Sequence, residues 1–252
     1  MTATPIALIT FACAFGSALL AAYIRDRLPT PHLSKESQDV VRLGMGLVAT
    51  MTALLLGLVT AAAKSTFDSY DSGIRTSAVN ILTIDRHLAR FGSDTKPTRD
   101  LLREMVAFRV ETTWPTEGSK LVGFGALQTT PAVEEIENQI LRLSPQGEEQ
   151  RWFKTEALRL SEDVLKTRWR LLQSGAAVPG PFLFVVIFWL TVTFASFGLY
   201  APRNATVLGV LFIAALSVAG AVFLVLELDG PFDGVIKVSG EPLRFALDNL
   251  GQ

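Results

Sequence analysis

The sequence predicts an all-α membrane protein: four transmembrane helices in two pairs, at 5–24, 43–63, 181–200 and 206–228, with an extramembrane helical bundle inserted between the second and third. Two observations carry that prediction. The 252 residues are 49% hydrophobic and only 19% charged, and the mean hydropathy is +0.36, too apolar for an ordinary soluble domain. The apolar excess is gathered into those four stretches, each about the 20 residues that a helix needs to cross roughly 30 Å of hydrocarbon. Only a helix or a closed barrel satisfies its own backbone in lipid. Barrel strands alternate in polarity over about 10 residues, whereas these runs are continuously apolar, so helices are expected.

The first stretch, from Pro5 to Ile24, reads as a retained span. Met1 to Thr4 holds no Lys or Arg, and the apolar run exceeds the 7 to 15 residues of a typical cleaved signal core. With the second span it forms a first pair over 1–63. That second span meets no stop at Ala63, and Lys64-Ser65-Thr66-Phe67 runs on without proline to Phe91-Gly92-Ser93. One long helix leaving the bilayer is the simplest reading, with Ile74, Ala78, Ile81, Leu82 and Leu88 as its apolar stripe.

The segment 64–180 reads as an extramembrane domain continuous with the second span, because it holds 16 of the 23 Lys and Arg and 16 of the 24 Asp and Glu. Its punctuation predicts helices over Pro97–Trp114, from Thr130-Pro131 to about Leu143, and from Ser144-Pro145 to about Gln173. The Gly-, Ser- and Thr-rich stretch Thr116–Thr130 reads as a loop. Trp114, Trp152 and Trp169 fall at helical spacing and are expected in the core. A second pair over 181–228 follows. The remaining 229–252 reads as a turn and a short helix capped by Ser239, with Leu243, Ala246, Leu247 and Leu250 on one face.

Orientation is read from the short connections. Arg25, Arg27, Lys35 and Arg42 lie between the first two spans and Arg203 between the last two, which puts both connections in the cytoplasm. The expected location is a bacterial inner membrane, multi-pass, with the helical domain in the periplasm.

Two segments carry a recognisable pattern. One joins Arg27-Leu28-Pro29, Asp39-Val40-Val41, the run Leu54-Leu55-Leu56-Gly57-Leu58-Val59 and Glu111-Thr112-Thr113-Trp114-Pro115. The other runs from Glu227 to Leu243 as Glu-Leu-Asp-Gly-Pro-Phe-Asp-Gly-Val-Ile-Lys-Val-Ser-Gly-Glu-Pro-Leu. Together they resemble the bestrophin-like domain family of bacterial integral membrane proteins, whose members end in a D-x-P-F-x-G…V-S-x-x-P element. The resemblance covers nearly the whole chain and implies a relation to chloride channels, hence anion conduction.

Along the second span Gly46, Thr50, Ala53, Gly57, Ala61 and Lys64 recur at helical spacing as a face of small or weakly polar side chains, continued by Asp68, Asp71 and Arg75. In one reading these residues line a pore, with the charges ringing its mouth and selecting ions. In the other, small residues let helices pack closely. Glu227, Asp229 and Asp233 form an acidic cluster around Pro231, Phe232 and Gly234. Its oxygen ligands suit a divalent cation or an electrostatic gate, although the spacing matches no calcium loop. The structural alternative is a turn fixed by Pro231 and Gly234, and metal binding is left open.

No nucleophile motif, phosphate-binding glycine loop or metal-spaced His cluster is present, so no enzyme and no cofactor are expected. His32 and His87 lie on either side of a span, and lone Cys13 permits no disulfide within one chain. A net charge of −1 without a basic cluster argues against nucleic acid. The expected partners are the lipid bilayer, further copies of the chain and inorganic ions. The leading expectation is a homo-oligomeric ion channel or pore. The alternative is a non-conducting envelope scaffold or signalling protein whose helical domain binds another protein.

Overall fold

The computed structural model describes residues 3–29, 34–115, 130–173, 178–202, 204–232 and 234–252. Eight α-helices follow one another among them: α1 (Ala3–Ile24), α2 (Lys35–Phe91), α3 (Lys96–Thr113), α4 (Thr130–Arg142), α5 (Glu148–Gln173), α6 (Gly180–Tyr200), α7 (Ala205–Asp229) and α8 (Glu241–Asn249). Short 3₁₀ turns stand at Arg25–Arg27 and Ser93–Thr95. No strand occurs among the described residues. Four helices, α1, α2, α6 and α7, are long and apolar enough to cross a membrane.

The chain divides into two compact units, 1–66 with 176–235 and 67–175 with 236–252. The first holds α1, α6, α7 and the N-terminal part of α2. There α1 packs on both α6 and α7, through a cluster of Ala14, Ala18, Phe194 and Ala215 bordered by Phe11, Phe15 and Leu211. Phe212 meets Phe11 and Phe15 edge to face, with centroids 5.4 Å apart in each pair. Small residues bring the backbones close, as is usual between membrane helices. At Gly198 a Cβ would lie only 2.0 Å from the Ala18 carbonyl oxygen, so no larger residue fits this crossing without parting the helices. Ser17 Oγ adds a hydrogen bond to the Thr191 carbonyl at 2.9 Å.

The second unit is a water-soluble core in its patterning. Ile74, Ala78, Ile81, Ile84 and Leu88 of α2 are buried with Leu102, Met105, Val106 and Val110 of α3, Val133, Ile136 and Ile140 of α4, and Phe153, Leu160, Val164 and Leu171 of α5. Each large side chain so buried contributes about 1.5–3 kcal/mol. Tyr70 donates its hydroxyl proton to the Leu171 carbonyl at 2.7 Å. Leu243 and Ala246 of α8 are fully buried in the same unit, and the Ser239 hydroxyl accepts from the Glu241 N–H at 3.2 Å.

Three local readings need correction. Ile84, absent from the expected α2 stripe, is buried, while Leu82 is only half-buried. α5 starts at Glu148 rather than at Ser144-Pro145, and the Gln150 side-chain oxygen accepts from the Gln146 N–H at 2.7 Å just before its first turn. Trp152 and Trp169 are exposed rather than core. The buried line on α5 runs Phe153, Ala157, Leu160, Val164, Arg168, Leu171. At about 100° per residue the two tryptophans fall one step off it.

Candidate ion pathway

The part of α2 in the first unit has three distinct faces. Thr52, Val59 and Ala63 are buried, and Val59 and Ala63 pack with Val178 and Val225, flanked by Leu55, Leu56, Leu183 and Leu228. A second face bears Leu43, Leu47, Leu54 and Leu58, all strongly exposed. The third is the small-residue face, and every one of Gly46, Thr50, Ala53, Gly57, Ala61 and Lys64 is exposed. Of the four candidate spans, that of α2 is the least buried within the chain.

Along and beside this third face the threonine hydroxyls are turned inward to the helix. Thr50 Oγ1 donates to the Gly46 carbonyl at 2.9 Å and Thr60 Oγ1 to the Leu56 carbonyl at 2.7 Å. A Cβ built on Gly46 or Gly57 meets nothing within 4 Å. Each glycine costs the helix about 1 kcal/mol relative to alanine, and no contact among the described residues requires either to be small.

Asp68, Asp71 and Arg75 belong to the second unit. Asp68 and Arg75 are exposed and Asp71 is half-buried. The Arg75 Nε donates to Asp71 Oδ2 at 2.8 Å, and this hydrogen bond and charge raise the guanidinium above its already high value. Asp71 and Arg75 therefore offset each other.

The acidic cluster at the end of α7 is engaged with backbone at Glu227 and Asp229. Glu227 is buried, and its carboxylate accepts from the Val235 N–H. Gly234 stands against it at φ +87°, and a Cβ there would fall 2.3 Å from Glu227 Oε2. Asp229 Oδ1 accepts from the Val178 N–H at 3.2 Å, tying the end of α7 to the segment before α6. Pro231 and Phe232 are half-buried in the turn, and Asp233 lies outside the described residues. Among the described residues no group of three or more His, Cys, Asp and Glu is placed to hold a metal. His32 also lies outside them, and His87 packs between Trp152 and Phe153 at 5.2 and 5.6 Å.

Sequence reasoning missed two constellations in the second unit. Trp114 Nε1 donates to the Val238 carbonyl at 2.8 Å and its ring covers Gly240, where a Cβ would lie 2.8 Å away. The second-unit ends of the two segments that carry the family resemblance thus meet at Trp114, Val238 and Gly240. Asp85, 1% exposed, receives Arg99 Nε and Nη2 at 2.7 and 3.0 Å and the Gly251 N–H at 3.3 Å. The available signal was an Asp on the apolar stripe, at i+4 from Ile81. Arg109 and Arg168 are also buried. Burial and the charge of Arg168 bring the Arg109 guanidinium down to about 10.

A family model described as the Bestrophin-like domain matches residues 12–243. In fold the chain is similar to the crystal structure of a single-substitution variant of a bacterial bestrophin homologue from Klebsiella pneumoniae, with a TM-score of 0.71, 16% identity and coverage of 100% of both chains. A second variant of that homologue gives a TM-score of 0.68 at 14% identity, over 98% of this chain and 99% of the other. A crystal structure of a membrane protein gives 0.70 at 15% identity, over 96% of both chains. No curated protein sequence matches. Such likeness shows the fold, which is that of bestrophins, and fold alone does not assign an activity.

Proposed function

Since the chain belongs to the Bestrophin-like domain family, we propose that it is an integral membrane ion channel, formed by several copies gathered around the small-residue face of α2. One observation carries this reading. From Gly46 to Lys64 that face is open along its whole length, with glycines that no contact among the described residues requires. A water-filled axis shared by copies of the chain gives the face an environment. The apolar face of Leu43, Leu47, Leu54 and Leu58 is then left for lipid or for a neighbouring copy.

In this reading the spans form two pairs, with the polar helical domain between them as an extramembrane extension of α2. Thr50 and its neighbours line the pore, and Lys64, Asp68, Asp71 and Arg75 supply charge at the mouth. These four sum to zero, two cations against two anions, so they do not by themselves choose the sign of the ion. Anion conduction is supported by the family resemblance. The bacterial inner membrane with the polar domain outside is supported by the cationic short connections.

The test is conductance of purified protein in planar bilayers under asymmetric salt. The channel reading expects unitary currents whose reversal potential gives the selectivity, and a shift in that potential for Lys64→Glu. No current from a chain that is monomeric in detergent would overturn it. The scaffold reading draws on Val79, Leu141, Trp152 and Phe245, exposed in the polar unit. It expects silent bilayers and a second protein bound to that unit.

A further inference from the structure

Where α1 ends and α6 passes into α7, a cavity of about 440 Å³ opens in the first unit, walled chiefly by Leu19, Ala22 and Tyr23 of α1 and Val207, Leu208 and Leu211 of α7. Ala18 and Gly198, the close crossing of α1 and α6, also line it. Two guanidinium groups are fastened to its lining. Arg25 Nη1 donates to the Ala201 carbonyl at 2.8 Å, and Arg27 Nη2 donates to the Tyr23 hydroxyl at 2.8 Å while lying 5.0 Å from the centre of that ring. Ala201 and Tyr23 both line the cavity. A guanidinium has five N–H donors, so these contacts orient each group without using it up. With Asp26 between them, the turn carries a net charge of +1 from two cations and one anion.

We propose that this cavity is a binding site for an anionic phospholipid. One acyl chain occupies the apolar pocket and the headgroup phosphate meets the Arg25–Arg27 turn. The walls are mainly apolar, and the polar groups among them, the Tyr23 hydroxyl, the Ala201 carbonyl and Asn204, stand at the end where the arginines are. A cavity between helices of membrane-spanning length is filled by whatever surrounds them, which is hydrocarbon. The cations stand at the helix ends, the level of the headgroups, beside a tyrosine of the kind that anchors there. Arginine's planar fork matches the geometry of a phosphate diester, and the charge selects an acidic lipid over a zwitterionic one. The inference rests on the membrane reading of α1, α6 and α7, and not on conduction.

The experiment is native mass spectrometry of the full chain released from detergent micelles doped with phosphatidylglycerol, phosphatidylcholine or a mixture of the two. The wild-type chain is expected to retain phosphatidylglycerol preferentially. Each of Arg25→Gln and Arg27→Gln should reduce that preference roughly fivefold, and the pair together about twenty- to thirtyfold. Arg27→Lys should keep most of it. Ala22→Phe, which fills the pocket and leaves both arginines, should lower retention of phosphatidylglycerol. If Arg25→Gln fails to fold through loss of its Ala201 contact, Arg27→Gln and Ala22→Phe still decide the matter. An unchanged preference in Arg27→Gln, or unchanged retention in Ala22→Phe, would overturn the site. Displacement of the lipid by glycerol phosphate at equal concentration would make it a free-anion site instead. A chain that stays soluble without detergent would refute the membrane reading itself, a result separate from a detergent-bound chain with no lipid preference.

Discussion

The two parts of α2 obey opposite rules. In the second unit its isoleucine stripe turns inward, with Ile74, Ile81, Ile84 and Leu88 all at or below 2% exposure and Val79 alone of its large aliphatic residues strongly exposed. In the first unit Leu43, Leu47, Leu54 and Leu58 turn outward, at 64 to 78%. Hydrophobic burial organises a helix only where the alternative is water. In lipid a leucine gains nothing by being covered, and contact is left to small residues. One continuous helix thus carries two folding codes, and the division between the units at 66 and 67 marks where one replaces the other.

The strongest way to break this comparison is to attack the core that depends on water. Asp85→Ala removes the acceptor of Arg99 Nε and Nη2 and of the Gly251 N–H, leaving Arg99 only the Gln252 carbonyl among the described residues, and each hydrogen bond to a charged group lost in this way costs about 1.5–3 kcal/mol. It should lower the thermal midpoint of the polar unit, followed by circular dichroism, more than any other single change proposed. Ile81→Ala should cost about 2–5 kcal/mol, whereas Leu54→Ala, one face of the same helix in the other unit, should cost under about 1 kcal/mol in lipid nanodiscs. Equal losses at the two sites would mean that the Leu54 face is buried against another chain.

Gly198→Ala sharpens the comparison from the membrane side. Its methyl collides with backbone at Ala18, and overpacking of this kind typically costs about 1–3 kcal/mol. A midpoint shift confined to the polar unit would be the wrong outcome.

Acid gives a smaller effect. Burial beside Trp152 and Phe153 holds the His87 imidazole below its ordinary value near 6.5, with Glu156 opposing and Arg90 and Arg159 adding to the depression. The fold therefore favours the neutral ring. Its contribution is complete above pH 6.5 or so, and is lost as pH falls from there through the folded-state value. His87→Phe should flatten the stability profile of the polar unit below about pH 6.5, and an unaltered profile would remove His87 as its cause. Arg75→Ala, on an exposed pair, should leave the melting midpoint within error. A shift in reversal potential from the same variant would place Arg75 at the mouth.

The spans were legible because each is an uninterrupted apolar run, and the boundaries of α1, α6 and α7 lie within two residues of those expected. Proline and glycine marked most helix ends in the polar domain, since they act on the local backbone. The start of α5 was missed because Ser144-Pro145 is a sound N-terminal signal that the chain does not use. The tryptophans were misread because helical spacing places a residue on a face only once the axis of that face is known. Arg109 and Arg168 gave no local sign at all, for burial of a charge is decided by neighbours distant in sequence. The contact of Trp114 with Val238, 124 residues apart, was beyond any window of periodicity. For the pore candidates the sequence supplied the six positions, and their shared exposure is what the structure added.

The turn at Gly234 has a consequence for how this chain tolerates change. Its backbone rotation disfavours every side chain, and its missing Cβ leaves the space that the Glu227 carboxylate fills. Two independent vetoes fall on one position, so relieving either leaves the other in force. In a library carrying all twenty residues at each site, position 234 should admit one letter while Val235 beside it, 81% exposed, admits many. A compensating Glu227→Ala would clear the space and still not free the angle.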